Sequence, residues 1–207
     1  MNEYFLFLFT TLLIALTPGA DTVLVTKNTL SQGRRAGLKT VAGVCTGIII
    51  HELLAILGLS AIIASSVLLF NIVKYVGVAF LIFMGLSILL SKKYYNTNNI
   101  TNSENQKFET PSFFQGLLSN VLNPKAIIFF IFFIPQFIKP SENISLQMFL
   151  LGVTPVLITL IWLAIYVNLI GYIRKWFNKP TFQSIFQRIT GFVLITLALK
   201  LAFEKGQ

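Results

Sequence analysis

The chain has 207 residues, 55% hydrophobic and 11% charged, with a mean hydropathy of +0.78. Soluble domains carry about 25% charged residues, so the composition excludes a water-soluble globular protein and leaves an all-α integral membrane protein with little mass outside the bilayer. The formal net charge of +9 would point to nucleic acid in a soluble chain; here short basic loops account for it, and no nucleic-acid partner is expected.

Six apolar stretches can be read in chain order, at about 4–26, 38–64, 67–90, 113–138, 146–173 and 182–203, each long enough to cross a bilayer with some tilt. All are expected to be helices, because lipid offers the backbone no other partner. The N-terminus lacks the positive region of a signal peptide, so the first stretch is expected to remain as a span. Cys45, the single cysteine, lies in the second stretch; it rules out an internal disulfide and a multi-cysteine metal site, and neither metal nor other cofactor is expected. Ser65-Ser66 reads as a tight hairpin between the second and third spans. The polar stretch 92–111 reads as a linker joining half-repeats 1–91 and 112–207 within a single transmembrane domain.

Lys and Arg set the orientation. They collect in the first loop (Lys27, Arg34, Arg35, Lys39), in the linker (Lys92, Lys93, Lys107) and after the fifth span (Arg174, Lys175, Lys179). The other side has mainly Lys139, Lys200 and Lys205. The positive-inside rule makes the linker cytoplasmic and predicts both termini outside. Three spans per half is an odd number, so two halves of one fold must be inserted upside down relative to each other. This is the inverted-repeat plan of many secondary transporters.

The first and fourth spans are expected to be broken. Thr17-Pro18-Gly19-Ala20-Asp21 interrupts the first, and Asn123-Pro124-Lys125 interrupts the fourth at the matching place. Proline removes a backbone donor and clashes with the preceding turn. Thr17 or Asn123 followed by proline is also the sequence of a helix start, N-cap and then N1. Each broken span would then present a helix N-terminus at membrane depth, with N–H groups and a positive dipole end open to an anion.

These pieces resemble the LysE/RhtB family, small bacterial exporters of amino acids such as lysine, homoserine, threonine and leucine. The resemblance is carried by Thr17-Pro18-Gly19-Ala20-Asp21, by Gly33-Arg34-Arg35-Ala36-Gly37-Leu38 and by the small-residue second span. In the second half it is carried by Leu122-Asn123-Pro124-Lys125-Ala126, Phe129-Phe130 and Pro135-Gln136-Phe137. Ala20 departs from the pattern, where the family usually has a second proline. Asp21 is similar to the homoserine/threonine-type branch rather than to the lysine-type branch. The resemblance implies a bacterial cytoplasmic (inner) membrane protein, surrounded by lipid, that exports an amino acid at the expense of inward proton movement.

Each candidate residue has two readings. Asp21 either holds the substrate ammonium or takes up a proton, or it is a second cap for the helix after the break. Lys125 either meets a substrate carboxylate or pairs with Asp21, or it snorkels to the membrane surface. Pro18, Gly19, Asn123 and Pro124 complete this substrate-binding or coupling set. His51 and Glu52, mid-span, form a proton relay or a hydrogen-bonded helix contact. Gly43 and Gly47 share a helix face with His51 and Ala55, with Gly58 a turn further on, and allow close helix approach toward the first or fourth span. Such faces serve packing within one chain or in a homo-oligomer. Gly33-Arg34-Arg35-Ala36-Gly37 reads as a cytoplasmic turn, and Thr154-Pro155 as a kink in the fifth span.

The expected function is secondary active export of amino acids or close derivatives, with alternating access around a midplane site. The alternatives are export of another small solute or cation, an intramembrane enzyme, or a structural subunit. HExxH and GxSxG motifs are missing and there is a single histidine, so an enzyme is not expected.

Overall fold

The computed structural model describes residues 2–65, 67–90, 110–139, 143–177 and 179–203. Among the described residues every regular element is a helix, as a hydrocarbon solvent requires of a chain this apolar. Helices α1 (Asn2–Leu16) and α2 (Ala20–Gln32) form one apolar unit bent by 49°. Helices α3 (Arg34–Ser65) and α4 (Val67–Leu90) follow. A second bent pair opens the other half: α5 (Ser112–Val121) meets α6, which runs from Pro124 to Phe137, again at 49°. Then come α7 (Ile144–Asn168), α8 (Ile170–Phe177) and α9 (Pro180–Phe203). Helices α3, α4, α7 and α9 are long and apolar enough to cross a membrane; the two bent pairs, each taken as one span, bring the number to six. The breaks fall where the sequence places them. Ser66, linker residues 92–109 and Lys205 lie outside the described residues.

Two spans differ in detail from expectation. The fifth does not run to 173: α7 stops at Asn168, whose Nδ2 donates to the Ala164 carbonyl at 2.7 Å, and α8 restarts at Ile170. A polar side chain that satisfies the last turn's carbonyls marks a natural end for the helix. The fourth is irregular after its break: α6 is α-helical over Pro124–Ile128, π-helical over Phe129–Phe133 and 3-10 over Ile134–Phe137. Pro135 has no N–H to close an α-turn, so a wider turn before it and a tighter one around it absorb the mismatch.

Corresponding elements of the two halves pair in space. Helix α3 packs on α7 and α4 packs on α9, while α5 lies against α3 and α1 against α7. The pairing is close where glycines meet. On α3, a β-carbon at Gly43 would collide with the Phe113 carbonyl and stand 2.8 Å from the Leu117 amide nitrogen. A β-carbon at Gly116 on α5 would in turn collide with the Thr40 carbonyl. Gly85 and Gly191 likewise bring α4 and α9 together, each blocked by the other's carbonyl at 2.9 and 2.8 Å. Gly43 and Gly47 therefore face the fourth span, whereas Gly58 faces open space. Between the helices lies a core that includes Phe7, Val25, Val44, Phe133, Tyr166 and Leu194, all fully or nearly fully buried. Leu54, Leu57, Phe83 and Phe192 point outward, where a bilayer would cover them.

The glycine geometry sets a paired test. Gly43→Ala must push apart two backbones and should destabilise the protein by about 1–3 kcal/mol. Gly58→Ala meets nothing and should gain up to about 1 kcal/mol from helix propensity. Thermal unfolding in detergent, followed by circular dichroism, reads both.

Candidate functional site

At the first break the local chemistry departs from the expected helix start. The Thr17 hydroxyl donates back to the Leu13 carbonyl at 2.8 Å, and its N–H is shared between Leu13 and Ile14 carbonyls at 3.1 and 3.3 Å. Thr17 therefore closes α1 instead of capping α2. Helix α2 begins at Ala20, with Gly19 as an extended N-cap (φ −145°, ψ −168°) that offers no side chain. Pro18 is consequently not the N1 residue. The negative group near the positive end of α2 is Asp21, in the first turn.

At the second break the expected start is observed. Asn123 is the N-cap, its Oδ1 accepting from the Lys125 N–H at 3.0 Å, and Pro124 occupies the first turn. The other end of the same amide, Nδ2, donates to Asp21 Oδ2 at 3.2 Å. Two further donors reach Asp21 from α5: Asn120 Nδ2 to Oδ2 at 2.9 Å and Ser119 Oγ to Oδ1 at 2.8 Å. Hydrogen bonds to an ionised group contribute about 1.5–3 kcal/mol each. Asp21 thus bonds across the breaks and not to its own helix, contrary to the capping reading.

Lys125 neither snorkels nor pairs directly with Asp21. Its ammonium donates to the Ile14 carbonyl at 2.7 Å and to the Thr17 carbonyl at 3.4 Å. Those carbonyls belong to the end of α1, the negative pole of that helix, where a cation is stabilised. No Asp21 oxygen comes within 4 Å of the ammonium, although both residues are described. In place of the Asp21–Lys125 pair, one of the readings the sequence left open, there are two separate arrangements, neutral donors around the acid and backbone acceptors around the base.

Asp21 and Lys125 line one cavity of about 100 Å³. Gly19, Asn120, Asn123, Phe129 and Phe130 share its wall, as do Ile48 on α3 and Pro155 and Thr159 on α7. Pro18 and Pro124 make the breaks and do not form the wall. The carboxylate has about four acceptor sites, three of them filled by uncharged donors, so its negative charge is held in place but not neutralised. The same holds for the ammonium, with three donors and two carbonyls. The wall therefore presents two fixed opposite charges with space between them.

His51 and Glu52 part company. His51 is buried, its ring lies 6.0 Å from that of Phe130, and Nε2 is 3.1 Å from the Asn120 carbonyl. It joins α3 to α5 and steadies the residue that holds Asp21. Gly47 serves the same residue: a β-carbon there would stand 2.8 Å from the Asn120 side chain. Glu52 lies on another face, against Gly152 of α7. At the turn between α2 and α3, Gly33 takes φ 86°, a left-handed value that suits glycine, and Arg34 Nε donates to Asn168 Oδ1 at 2.6 Å.

Sequence reasoning did not single out Ser119 and Asn120. The signal was present: they are two adjacent polar residues in an apolar span, four and three positions before the break at Asn123. The carbonyl oxygens that hold Lys125 carry no side-chain signature at all.

A family model described as LysE type translocator matches residues 12–205. Among relatives, a Bacillus subtilis membrane protein, YrhP, is 38% identical over 195 residues, 91% of this chain and 92% of its own. A membrane protein of Vibrio cholerae is 27% identical over 100% of this chain and 99% of its own. The homoserine/homoserine lactone efflux protein of Salmonella typhimurium is 27% identical over 201 residues, 96% of this chain and 95% of its own. No solved structure matches. With two bent, apolar helix pairs and a family match that spans nearly its whole length, the chain belongs to the family of LysE-type translocators.

Proposed function

We propose that this protein is a secondary active exporter of amino acids or their close derivatives, driven by proton entry and working by alternating access around the cavity between the two breaks. One observation carries the reading: Asp21 and Lys125, an acid and a base, line the same small cavity, each held by neutral groups and not paired with each other. A zwitterion fits between them, with its ammonium at Asp21 and its carboxylate at Lys125. The cavity, at about 100 Å³, is well below the roughly 300–1,000 Å³ of drug-sized pockets, which favours a small amino acid. The efflux of homoserine and its lactone by the Salmonella relative supports the same class.

The halves would rock about the fixed site, as expected of inverted repeats with broken helices. The single transmembrane domain, the cytoplasmic linker, the inner-membrane location and the external termini belong to this reading. The basic loops support them through the positive-inside rule.

Counterflow of radiolabelled homoserine, threonine, leucine and lysine into proteoliposomes tests the function. Exchange of at least one supports export; inactivity with the whole panel removes the amino-acid class. On the substrate that moves, Asp21→Asn should lower counterflow by about tenfold or more, equivalent to losing roughly 1.4 kcal/mol of binding or more. Lys125→Met should cost as much for homoserine, and less for homoserine lactone, which has no carboxylate. The charge swap Asp21→Lys with Lys125→Asp should not restore transport, since the α1 carbonyls cannot receive an acid. Recovery to near wild type would mean that the two residues pair during the cycle.

A further inference from the structure

Glu52 is an intramembrane carboxylate that the cavity wall does not include. The residue is 6% exposed, and among the described residues no hydrogen bond or ion pair reaches it. Its side chain packs on α7 at Gly152, where an added β-carbon would meet Glu52 Oε1 at 2.6 Å. Only the missing side chain of Gly152 makes room for the acid.

This contact sits one turn from the substrate cavity on both helices. Ile48, four residues before Glu52, lines the cavity, and so does Pro155, three after Gly152. The elements packed on α3 carry titratable groups at Asp21 and Lys27 of α2, Lys74 and Tyr75 of α4, Lys125 of α6 and Tyr166 of α7. Helix α5 carries none. On α3 the nearest in sequence are Cys45 and His51, and the His51 ring is turned to the Asn120 carbonyl. None of these groups is bonded to Glu52. An ionised carboxylate in that place would have neither counter-charge nor donor, which a protein interior at membrane depth penalises heavily. A neutral carboxylic acid is a small polar group and can be tolerated there.

We infer that Glu52 is the proton-carrying residue of the transport cycle, holding its proton while α3 and α7 are packed at Gly152 and exchanging it when they separate. The assignment rests on the export reading above and gives the proton a site distinct from the substrate's. Helix α7 links the two. Pro155 stands in the cavity wall and, lacking an N–H, leaves the Leu151 carbonyl without its usual helical donor beside Gly152. A shift of α7 at the cavity is therefore passed to the Glu52 contact through a weakened turn.

The test uses the full-length protein in proteoliposomes, with radiolabelled homoserine or whichever amino acid of the panel the wild type exchanges. Counterflow at equal pH reads substrate binding and the conformational cycle. Accumulation driven by an imposed pH gradient reads proton coupling. Glu52→Gln should keep counterflow within about twofold of wild type and lose accumulation about tenfold or more, because the neutral amide cannot release a proton. Asp21→Asn should lose both. Accumulation by Glu52→Gln at the wild-type level overturns the assignment. So does loss of both activities with normal amounts in the membrane, which would show a structural role. Where Glu52→Gln does not reach the membrane, Glu52→Asp decides: a displaced pH profile of accumulation supports proton carriage, and an unchanged one refutes it. A wild type that fails counterflow with every amino acid defeats the export reading itself, and this assignment with it.

Discussion

One amide side chain joins the two interrupted spans. Asn123 caps α6 with its oxygen and holds Asp21, in the first turn of α2, with its nitrogen. Every other contact at the cavity is arranged around that joint. Ser119 and Asn120 complete the shell of donors on the acid, and Lys125, two residues after Asn123, reaches back to the end of α1. The broken helices thus satisfy one another: the open carbonyls of α1 take the ammonium from α6, and the acid of α2 accepts from the Ser119 hydroxyl and the Asn120 amide of α5 and from the Asn123 amide. Proline breaks are tolerable in hydrocarbon when neighbouring groups re-satisfy the freed backbone, and here the Lys125 ammonium does so at the end of α1 and the Asn123 amide does so at the start of α6.

Close helix approach sets the position of this joint. Helix α5 can present Ser119 and Asn120 to Asp21 because Gly43, Gly47 and Gly116 let its backbone lie against α3. His51 then fixes Asn120 from the opposite side through its carbonyl. Packing and polar chemistry are therefore not separable on this face. A methyl group at Gly47 would press on Asn120, and so reach Asp21 through the amide that holds it.

Much of the fold could be read from residue order. Apolar runs of about twenty residues fix the spans, and an apolar environment leaves them no conformation but the helix. Proline placed the breaks, and Asn123-Pro124 behaved as its sequence requires. Thr17-Pro18 did not, because a threonine hydroxyl can bond back to its own helix as readily as forward, and one sequence does not say which. A direct Asp21–Lys125 pair was one of the readings open to two charged residue types in apolar spans. It failed because main-chain carbonyls, which leave no mark on the sequence, compete for the lysine. Helix rotation was equally hidden: adjacent residues His51 and Glu52 lie about 100° apart on a helix, and they serve different neighbours.

The two breaks are not equivalent. One is closed by a side-chain cap, the other opens on a bare glycine in extended conformation. An inverted repeat with identical joints would favour neither side of the membrane in the absence of cargo. In the alternating-access cycle proposed above, one capped joint and one uncapped joint would give inward-facing and outward-facing forms different free energies, and the empty carrier a preferred resting side. Directionality in this molecule would then have a source in the chain itself, in addition to any gradient across it.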